Sequence, residues 1–256
     1  MPRMRSNAPD DLFAPGRELM RSGIGVRPSG PSAQQRGEPQ PALEAPRPPD
    51  ARILALPNPA SRPLRTPDLR DCLRRRRSRR EFLPAALALD ELAFLLWATQ
   101  GLTSPDVEVC FRAAPSAGAR HPFETHLAVF NVSGLQAGVH RYLPLSHELL
   151  FRYAGDLREE ASEAALGQTF VGEGAAVFFW SCLPCRGEWR YGPHAHKYML
   201  LDAGHVCQNL YLACEALGCG TCGIGAYHQA KADRLLRLDG REEFVVYFAP
   251  VGRVER

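Results

Sequence analysis

The amino-acid sequence predicts an α+β fold, in which helices and strands interleave without a regular strand–helix–strand repeat. Two observations carry this prediction. Short runs rich in β-branched and aromatic residues indicate five strands, and residues 199–217 form a long helical pattern that is apolar on nearly every side. Such a helix must be buried in a core or in a subunit interface. We expect one domain over residues 61–256.

The elements follow in chain order. Residues 1–60 hold twelve of the 22 prolines and no apolar periodicity, so we expect a disordered tail, either an inert linker or a docking arm. Thr66 and Pro67 indicate a helix start, with Thr66 as the cap. A second helix is expected over residues 89–99, ended by Gly101. The five strands are expected over residues 125–130, 138–142, 149–153, 175–181 and 244–248.

Charge and cysteine content limit the function classes. A net charge of +3, from 31 basic and 28 acidic side chains, is too small for a protein that coats nucleic acid. No segment has the length and apolarity to span a bilayer, and no amino-terminal stretch has the apolar core of a signal peptide. Eight cysteines in such a chain predict a reducing, cytoplasmic setting.

Two Cys-x-x-Cys pairs raise the question of a metal. They are Cys182 with Cys185 and Cys219 with Cys222, and 33 residues separate them. That separation is longer than the roughly 15 to 20 residues of a zinc ribbon. We therefore expect no metal and isolated buried thiols, with structural zinc and a redox disulfide as the less favoured alternatives.

A run of six arginines and one serine over residues 74–80 is the strongest chemical signal in the chain. Guanidinium groups keep their charge at any ordinary pH and bind phosphate oxygens in pairs. On its own, the run is typical of a solvated basic patch, a nucleic-acid contact or a phosphate site. The hydroxyl of Ser78 within the run, and the apolar helix that follows, favour the phosphate site.

Two further segments could approach a flat ligand closely. Residues 112–124 are rich in small residues and lead directly into a strand, and residues 217–227 contain four glycines within eight positions. Taken alone, the first segment is equally typical of a Pro/Gly turn, and the second is equally typical of a helix stop with a flexible connection.

Together these segments, in this order and spacing, resemble the nitroreductase superfamily of flavin mononucleotide (FMN) enzymes and, within it, the SagB-type dehydrogenases. The resemblance spans roughly residues 66–253. It implies a nitroreductase-like fold with a mostly antiparallel central sheet, flanking helices and a long helix buried at a homodimer interface. The motifs that carry it are RRSRREF at 76–82, LDELAFLLWATQGL at 89–102, PSAGARHPFE at 115–124, GVHRY at 138–142, LLDAGHVCQNLYLACEALGCG at 200–220 and GIGAY at 223–227.

The resemblance also implies which residues hold FMN. The phosphate and the adjoining ring edge would be held by a set at the arginine run, the ring would be lined by a loop of the partner subunit, and backbone donors would face its reactive nitrogen. These three sets are Arg76, Arg77, Ser78 and Arg80; then Pro115, Ser116, Ala117 and Gly118; then Gly225 and Ala226. Superfamily members often carry Asn and Gln where this chain has Ala119 and His121.

The catalytic residues implied by the resemblance depart from the family pattern. SagB-type members carry a Lys-Tyr pair about ten residues before the LDAGH-like motif, and here the pair is Arg190 and Tyr191. Because an arginine cannot lose its proton, Arg190 cannot serve as a neutral base. Lys197, seven residues later and beside Tyr198, is either a replacement for that base or an ordinary positive residue at a helix start. Tyr191 is the best catalytic candidate.

The function implied is FMN-dependent oxidation of thiazoline and oxazoline (azoline) rings to thiazoles and oxazoles in a ribosomally made peptide. The ring would lose a proton from one carbon and a hydride from its neighbour, and oxygen would be the final oxidant. The partners implied are a second copy of the chain and the azoline peptide, with a cyclodehydratase complex as a further candidate; no nucleic acid or membrane is expected. Two alternatives stay open: an NAD(P)H-dependent nitro or quinone reductase, and a non-catalytic flavoprotein or docking subunit of a peptide-modifying complex.

Overall fold

The computed structural model describes residues 12–23, 30–59, 67–104 and 110–255. Within these residues, the helices are α1 (Ala14–Met20), α2 (Leu69–Arg75), α3 (Leu89–Gln100), α4 (Arg158–Ala164), α5 (Phe170–Glu173), α6 (Pro184–Tyr191), α7 (Ala195–Leu217) and α8 (Gln229–Leu236). The strands are β1 (Ile53–Ala55), β2 (Phe123–Val129), β3 (Gly138–Leu143), β4 (Glu148–Ala154), β5 (Ala176–Cys182), β6 (Cys219–Thr221) and β7 (Phe244–Arg253).

One sheet with strand order β1-β4-β3-β2-β5-β7-β6 forms the centre of the molecule, and each neighbouring pair of strands is antiparallel. This arrangement confirms the α+β class and the antiparallel sheet. The five expected strands are all present with ends shifted by one or two residues, except that β7 continues to Arg253. It pairs there with the short strand β6, which the sequence pattern did not indicate.

Each face of the sheet covers a different core. Because successive side chains of a strand point to opposite faces, Phe123 and Leu127 of β2 pack into one cluster with α3 and α7, whereas Ala128 packs into a second cluster with α4 and α8. Both cores are fully apolar at their centres, and Leu127 and Phe179 have no exposed surface. The two clusters hold the sheet between two helical layers.

Helix α7 is buried along one side only. It begins four residues earlier than expected and ends at Gly218, whose positive φ of 74° makes it the left-handed cap. Met199, Val206 and Leu210 on one side are buried in the core. The opposite side is exposed and partly apolar; it presents Leu200, Leu201, Gly204, His205 and Gln208. The expectation of a helix buried on most sides is therefore met only in part within a single chain.

Residues 30–46, here called the strap, are hydrogen-bonded to side chains of β2, β3 and α6. The expectation of a disordered tail over residues 1–60 differs from the structure here, since the strap and β1 are both placed on the domain. Three buried guanidinium groups hold the strap: Arg186 donates to the carbonyl of Ala42, Arg112 to Leu43, and Arg141 to Ala45 and Pro46. The composition of the segment could not reveal this, because the partners are backbone carbonyls.

A buried ion pair explains why the strap is needed. Glu124 of β2 lies 2.5 Å from Arg186, and each side chain is 2% exposed. Glu124 also accepts the backbone N–H of Ala45. Buried charges are costly unless they are paired and hydrogen-bonded, and the strap supplies backbone acceptors to Arg186 and Arg141 and a backbone donor to Glu124. The domain boundary at residue 61 stays a prediction, but the fold of the domain includes contacts from before it.

The remaining expectations concern helix starts, membranes and thiols. Thr66 lies outside the described residues, and α2 begins at Leu69, with the Asp68 carboxylate accepting the N–H of Arg70. None of the described helices is long and apolar enough to cross a bilayer. The eight cysteines are present as thiols, and no cluster of three or more His, Cys, Asp or Glu side chains that could bind a metal occurs in the described ranges.

Candidate functional site

The arginine run leaves α2 as an extended segment whose side chains alternate between two sides. Ser78 forms a parallel bridge with Thr221, and the N–H of Arg79 donates to the Thr221 carbonyl at 2.9 Å. Arg76 and Ser78 both contact Tyr211 of α7. Arg77 and Arg79 point to the other side, where with Arg74, Arg75 and Glu215 they line an open cleft of about 590 Å³.

Tyr211 joins the arginine segment to the glycine-rich loop. Its ring lies 5.3 Å from the Arg76 guanidinium, and its hydroxyl lies 3.0 Å from Ser78 Oγ. The same hydroxyl accepts the N–H of Gly223 at 2.8 Å. The tyrosine oxygen accepts from Gly223, and the Tyr211 hydroxyl can donate to Ser78 Oγ or accept from it. Two of the three sequence segments are thus brought together on one side chain.

The glycine-rich loop follows β6 and exposes its backbone at Gly225 and Ala226. Gly223 is held against Tyr247, where a Cβ atom would come within 2.3 Å of the tyrosine hydroxyl. At Gly225, by contrast, a Cβ would meet only one atom of Tyr247, at 3.9 Å. The loop is therefore fixed at Gly223 and open at Gly225, where backbone N–H groups can reach a ligand.

Arg80 continues the alternation but lies farther from Tyr211. Its guanidinium sits 6.0 Å from the ring of Phe170 in α5. Within the described part of the chain, no carboxylate pairs with Arg76, Arg77 or Arg80, whereas Arg74 and Arg75 both pair with Asp71. Of these three, Arg76 lies against Tyr211, which binds the glycine-rich loop at Gly223, so an uncompensated guanidinium stands next to that loop.

The loop of residues 115–118 is clamped by Asp202 of α7. Ser116 Oγ donates to this carboxylate at 2.6 Å, and the N–H of Ala117 donates to both of its oxygens at 3.1 Å. Burial raises the pKa of Asp202, and the hydrogen bonds from Ser116 and Ala117 oppose that rise. Pro115 and Gly118 are exposed, and Gly118 has a positive φ of 59°. The clamp presents this loop in one conformation.

His121, at the end of this loop, should make the fold sensitive to acid. Burial and the charges of Arg112, Arg120 and Arg186 lower its pKa to about 3. The unfolded chain, with a histidine pKa of about 6.5, binds more protons below that value, so stability is full above pH 6.5 and falls as the pH falls towards 3. This one group should remove about 2 kcal/mol between pH 7 and 5.

Urea unfolding of His121→Gln at several pH values measures this effect. We expect a shallower loss of unfolding free energy between pH 7 and 5 than in the unmodified chain. His228→Gln, at an exposed histidine, is the control for losing an imidazole in general. An unchanged pH slope in His121→Gln would contradict the assignment.

The predicted catalytic residues lie around a second, larger cleft. Arg190 and Tyr191 end α6 and pack against Gly118, where a Cβ would come within 2.6 Å of Arg190 Nε and 2.5 Å of the Tyr191 hydroxyl. Tyr191 also contacts Tyr198, with 5.0 Å between ring centroids. Lys197 does not line this cleft; it lines a smaller neighbouring cavity, which shares Pro193, His194 and Tyr198 with the larger one. The structure therefore groups Arg190 and Tyr191 with the 115–118 loop and separates Lys197 from them.

These contacts form two half-sites on opposite edges of α7. Asp202 holds the 115–118 loop, and Tyr211 holds the arginine segment and the glycine-rich loop. Nine residues separate the two, which on an α-helix is about 13 Å along the axis and half a turn around it. Their side chains therefore flank the exposed side of α7 from opposite edges. Within one chain they do not meet.

Tyr211 and Asp202 organise the candidate site, and the sequence pattern indicated neither role. Tyr211 is an ordinary aromatic residue on an apolar helix, and nothing in its spacing indicated a link between two motifs. Asp202 was visible as an acid that interrupts the apolar helix, which is a usable signal because a buried acid requires donors. His205, which helical burial would have made a core residue, is exposed. Asn209 donates within the chain to the carbonyls of Ala98 and Ala113.

Known proteins resemble this chain in sequence and in fold. The nitroreductase family model matches residues 73–253. A candidate nitroreductase of Methanocaldococcus jannaschii is 34% identical over 185 residues, covering 72% of this chain and 90% of that protein. A candidate nitroreductase of Ralstonia eutropha JMP134 has a solved structure at 25% identity and a TM-score of 0.68, covering 90% of this chain and all of that one.

A third relative has a more specific name. The trifolitoxin-processing protein TfxB of Rhizobium leguminosarum bv. trifolii is 29% identical over 167 residues, and the match covers 61% of this chain and only 45% of TfxB. The nitroreductase family model, by contrast, matches a range that contains the named residues of both half-sites. The chain belongs to the nitroreductase family of oxidoreductases.

Proposed function

We propose that this chain is an FMN-dependent oxidoreductase that acts as a homodimer and dehydrogenates azoline rings in a modified peptide. The observation that carries the proposal is the link through Tyr211, which places Arg76 and Ser78 beside the open glycine-rich loop. An anionic, planar ligand needs this combination of cationic donors and accessible backbone N–H groups. The chemistry of the donor set therefore fits a flavin phosphate and its ring.

The proposed grip consists of Arg76, Ser78 and Arg80. Arg76 and Arg80 are free of carboxylate partners within the described ranges, and the Ser78 hydroxyl can both donate and accept. Gly225 and Ala226 would offer backbone donors to the ring. Arg77 points to the opposite side of the segment, so we assign it to the surrounding positive field rather than to direct contact.

A second copy of the chain would complete the site. The half-site at Tyr211 lacks the 115–118 loop. In the same chain that loop is bound to Asp202, at the other edge of the exposed side of α7. Leu200 and Leu201 on that side are 49% and 53% exposed, and the face they form is typical of a subunit contact. A second α7 packed there would bring Pro115, Ser116, Ala117 and Gly118 of one copy towards Arg76 of the other.

When bound, FMN supplies a hydride acceptor for the substrate. The chain's own task is to orient the substrate and to move a proton. The Tyr191 hydroxyl lies beside Gly118, on the loop proposed to line the flavin, so it is placed to relay the proton of the ring carbon to water, taking up that proton as it releases its own. Arg190 stays protonated and stabilises negative charge instead. Lys197 lies outside this cleft, which leaves Tyr191 as the proposed proton carrier.

The peptide substrate is supported by the likeness to TfxB, whose name describes the processing of trifolitoxin. Since this chain spans less than half of TfxB, that likeness supports the substrate class and no partner. A reductase that uses NAD(P)H is the competing proposal, favoured by the nitroreductase names of other relatives. A cyclodehydratase is a candidate partner only if the chain oxidises azolines, because a cyclodehydratase would form the ring that is then oxidised. The reductase proposal requires no such partner.

Substitution of Gly204 by arginine tests the composite site. In one chain a Cβ at Gly204 would meet no atom within 4 Å, and replacing a helical glycine removes a penalty of about 1 kcal/mol. The single chain should therefore fold. At a helix-to-helix contact, however, an arginine would separate the two copies. We expect Gly204→Arg to sediment as a monomer and to retain little FMN, whereas Gly204→Ala stays dimeric and yellow. A folded Gly204→Arg dimer with full flavin content would contradict the proposal.

A further inference from the structure

The large cleft beside Arg190 lies between the strap and α6 and measures about 800 Å³. Its walls are mostly rings and apolar surface, including Pro31, Pro39, Trp189, Tyr191 and Tyr198. The indole N–H of Trp189 donates to the Glu38 carbonyl, and the Gln34 N–H donates to the Trp189 carbonyl. The strap thus forms a fixed wall opposite α6. The cleft is open and wide enough for an extended peptide.

Two guanidinium groups line this cleft, and they differ in whether a carboxylate pairs with them. Arg36 pairs with Glu38 at 2.6 Å. Glu188 accepts a hydrogen bond from His196 at 2.9 Å. Arg190 has no carboxylate partner in the described part of the chain; its guanidinium carbon lies 5.7 Å from the centre of the Tyr191 ring, and its Nε lies next to Gly118. One exposed cation therefore stands at the end of the cleft that adjoins Gly118.

We propose that Arg190 binds an acidic side chain of the peptide substrate, and that it makes this enzyme selective for an acidic residue close to the reacting ring. The proposal rests on the proposed function for the identity of the ligand as a peptide. Arginine is suited to the role because its planar guanidinium matches a carboxylate with two parallel hydrogen bonds. Arg190 cannot act as a base, but its permanent positive charge is suited to binding a carboxylate.

The position of Arg190 determines which residue of the peptide substrate can reach its guanidinium. Arg190 Nε would lie only 2.6 Å from a Cβ at Gly118, on the loop proposed to line the flavin. An acceptor bound to Arg190 therefore lies within a few ångströms of the reacting ring, or about one or two residues along an extended chain. A ring inside a peptide has backbone on both sides, so a side chain supplies the carboxylate.

Binding of unreactive, thiazole-containing peptides tests this inference without turnover. The probes are fluorescent peptides with a single Glu placed one or two residues before or after the thiazole, and a reference with Gln at all four positions. Their dissociation constants would be measured by anisotropy on the FMN-loaded protein. We expect at least one Glu probe to bind about tenfold tighter than the reference.

Three variants locate the effect. Arg190→Gln should remove the preference for Glu, and Arg190→Glu should prefer a probe with Lys at the same position. Arg36→Gln is the matched control, because that guanidinium lines the same cleft but is already paired with Glu38; it should keep the preference. Equal binding of all probes, or a preference that survives in Arg190→Gln, would overturn the inference.

The same probes separate this inference from the proposed function. If azoline peptides fail to reduce the bound flavin while the Glu preference depends on Arg190, the cleft binds acidic peptides and the proposed chemistry is wrong. If azoline peptides reduce the flavin but no Glu preference exists, the chemistry stands and Arg190 has another role. Each probe would also be made with an amidated carboxyl terminus. If only probes with a free carboxyl terminus bind tightly, the proposal that Arg190 binds an acidic side chain is wrong.

Discussion

Simultaneous replacement of Arg76 and Arg80 by alanine should release the flavin. Each guanidinium is expected to give a charge-assisted hydrogen bond to phosphate, worth about 1.5 to 3 kcal/mol. Loss of both should raise the dissociation constant for FMN at least about a hundredfold. Titration of the apoprotein with FMN, followed by flavin fluorescence, measures this change. Both side chains are at least partly exposed, so we expect the fold to be unaffected.

The chain offers a matched control for this double variant. Arg74 and Arg75 lie in the same run but pair with Asp71 on α2. Arg74→Ala with Arg75→Ala removes the same amount of charge and should keep most of the affinity for FMN. If both double variants weaken FMN equally, the run acts as a diffuse positive field. Full flavin occupancy in Arg76→Ala with Arg80→Ala would refute the proposed grip.

The replacement of Glu124 by leucine should be the most destabilising single change. It leaves the buried guanidinium groups of Arg186 and Arg141 without their carboxylate, and it leaves the Ala45 N–H without its acceptor. Removing one partner of a buried ion pair costs about 3 to 5 kcal/mol, because the other charge stays buried and uncompensated. Urea unfolding followed by circular dichroism measures the loss.

Proteolysis shows whether the strap is what the pair holds. In Glu124→Leu we expect trypsin to cut rapidly after Arg36, since the strap loses its attachment near Ala45. Glu163→Gln is the control, because its ion pair with Lys231 is exposed and its loss should have no measurable effect. A Glu124→Leu protein as stable and as protease-resistant as the unmodified chain would show that the strap is held by other contacts.

Secondary-structure elements could be predicted from the sequence where the residues that determine them are close together in the chain. The alternating strands and the apolar pattern of α7 follow from side-chain periodicity, and Gly218 ends α7 because it can adopt a positive φ. The arginine run and the two small-residue segments, in this order and spacing, were sufficient to predict the family. These features are determined by residues close to one another in the chain, so a pattern over ten or twenty positions can reveal them.

The strap and the site depended on contacts between distant residues. A proline-rich segment with few apolar residues is typical of disorder, yet Arg112, Arg141 and Arg186 order it through its carbonyl groups, which are the same in every sequence. The separation of Arg77 from Arg76 follows from the alternation of an extended strand. That alternation could be foreseen only by knowing that the run leaves its helix at Arg75.

The half-sites show the same limit. The register of Asp202 and Tyr211 on α7 could be read from their spacing of nine residues, once their partners were known. Nothing in the sequence named those partners. The resemblance to a dimeric family supplied the expectation of a second copy, and the opposite edges of α7 give it a physical reason.

Anaerobic reduction of the bound flavin is the most direct test of the proposed chemistry. The FMN-loaded protein would be mixed without oxygen with a thiazoline peptide carrying an acidic residue beside the ring, and separately with NADPH. We expect the peptide to bleach the visible flavin absorbance and to yield the thiazole, two mass units lighter, whereas NADPH should reduce the flavin slowly or not at all. Bleaching by NADPH alone would establish the reductase instead, and a flavin that neither compound reduces would indicate a non-catalytic flavoprotein.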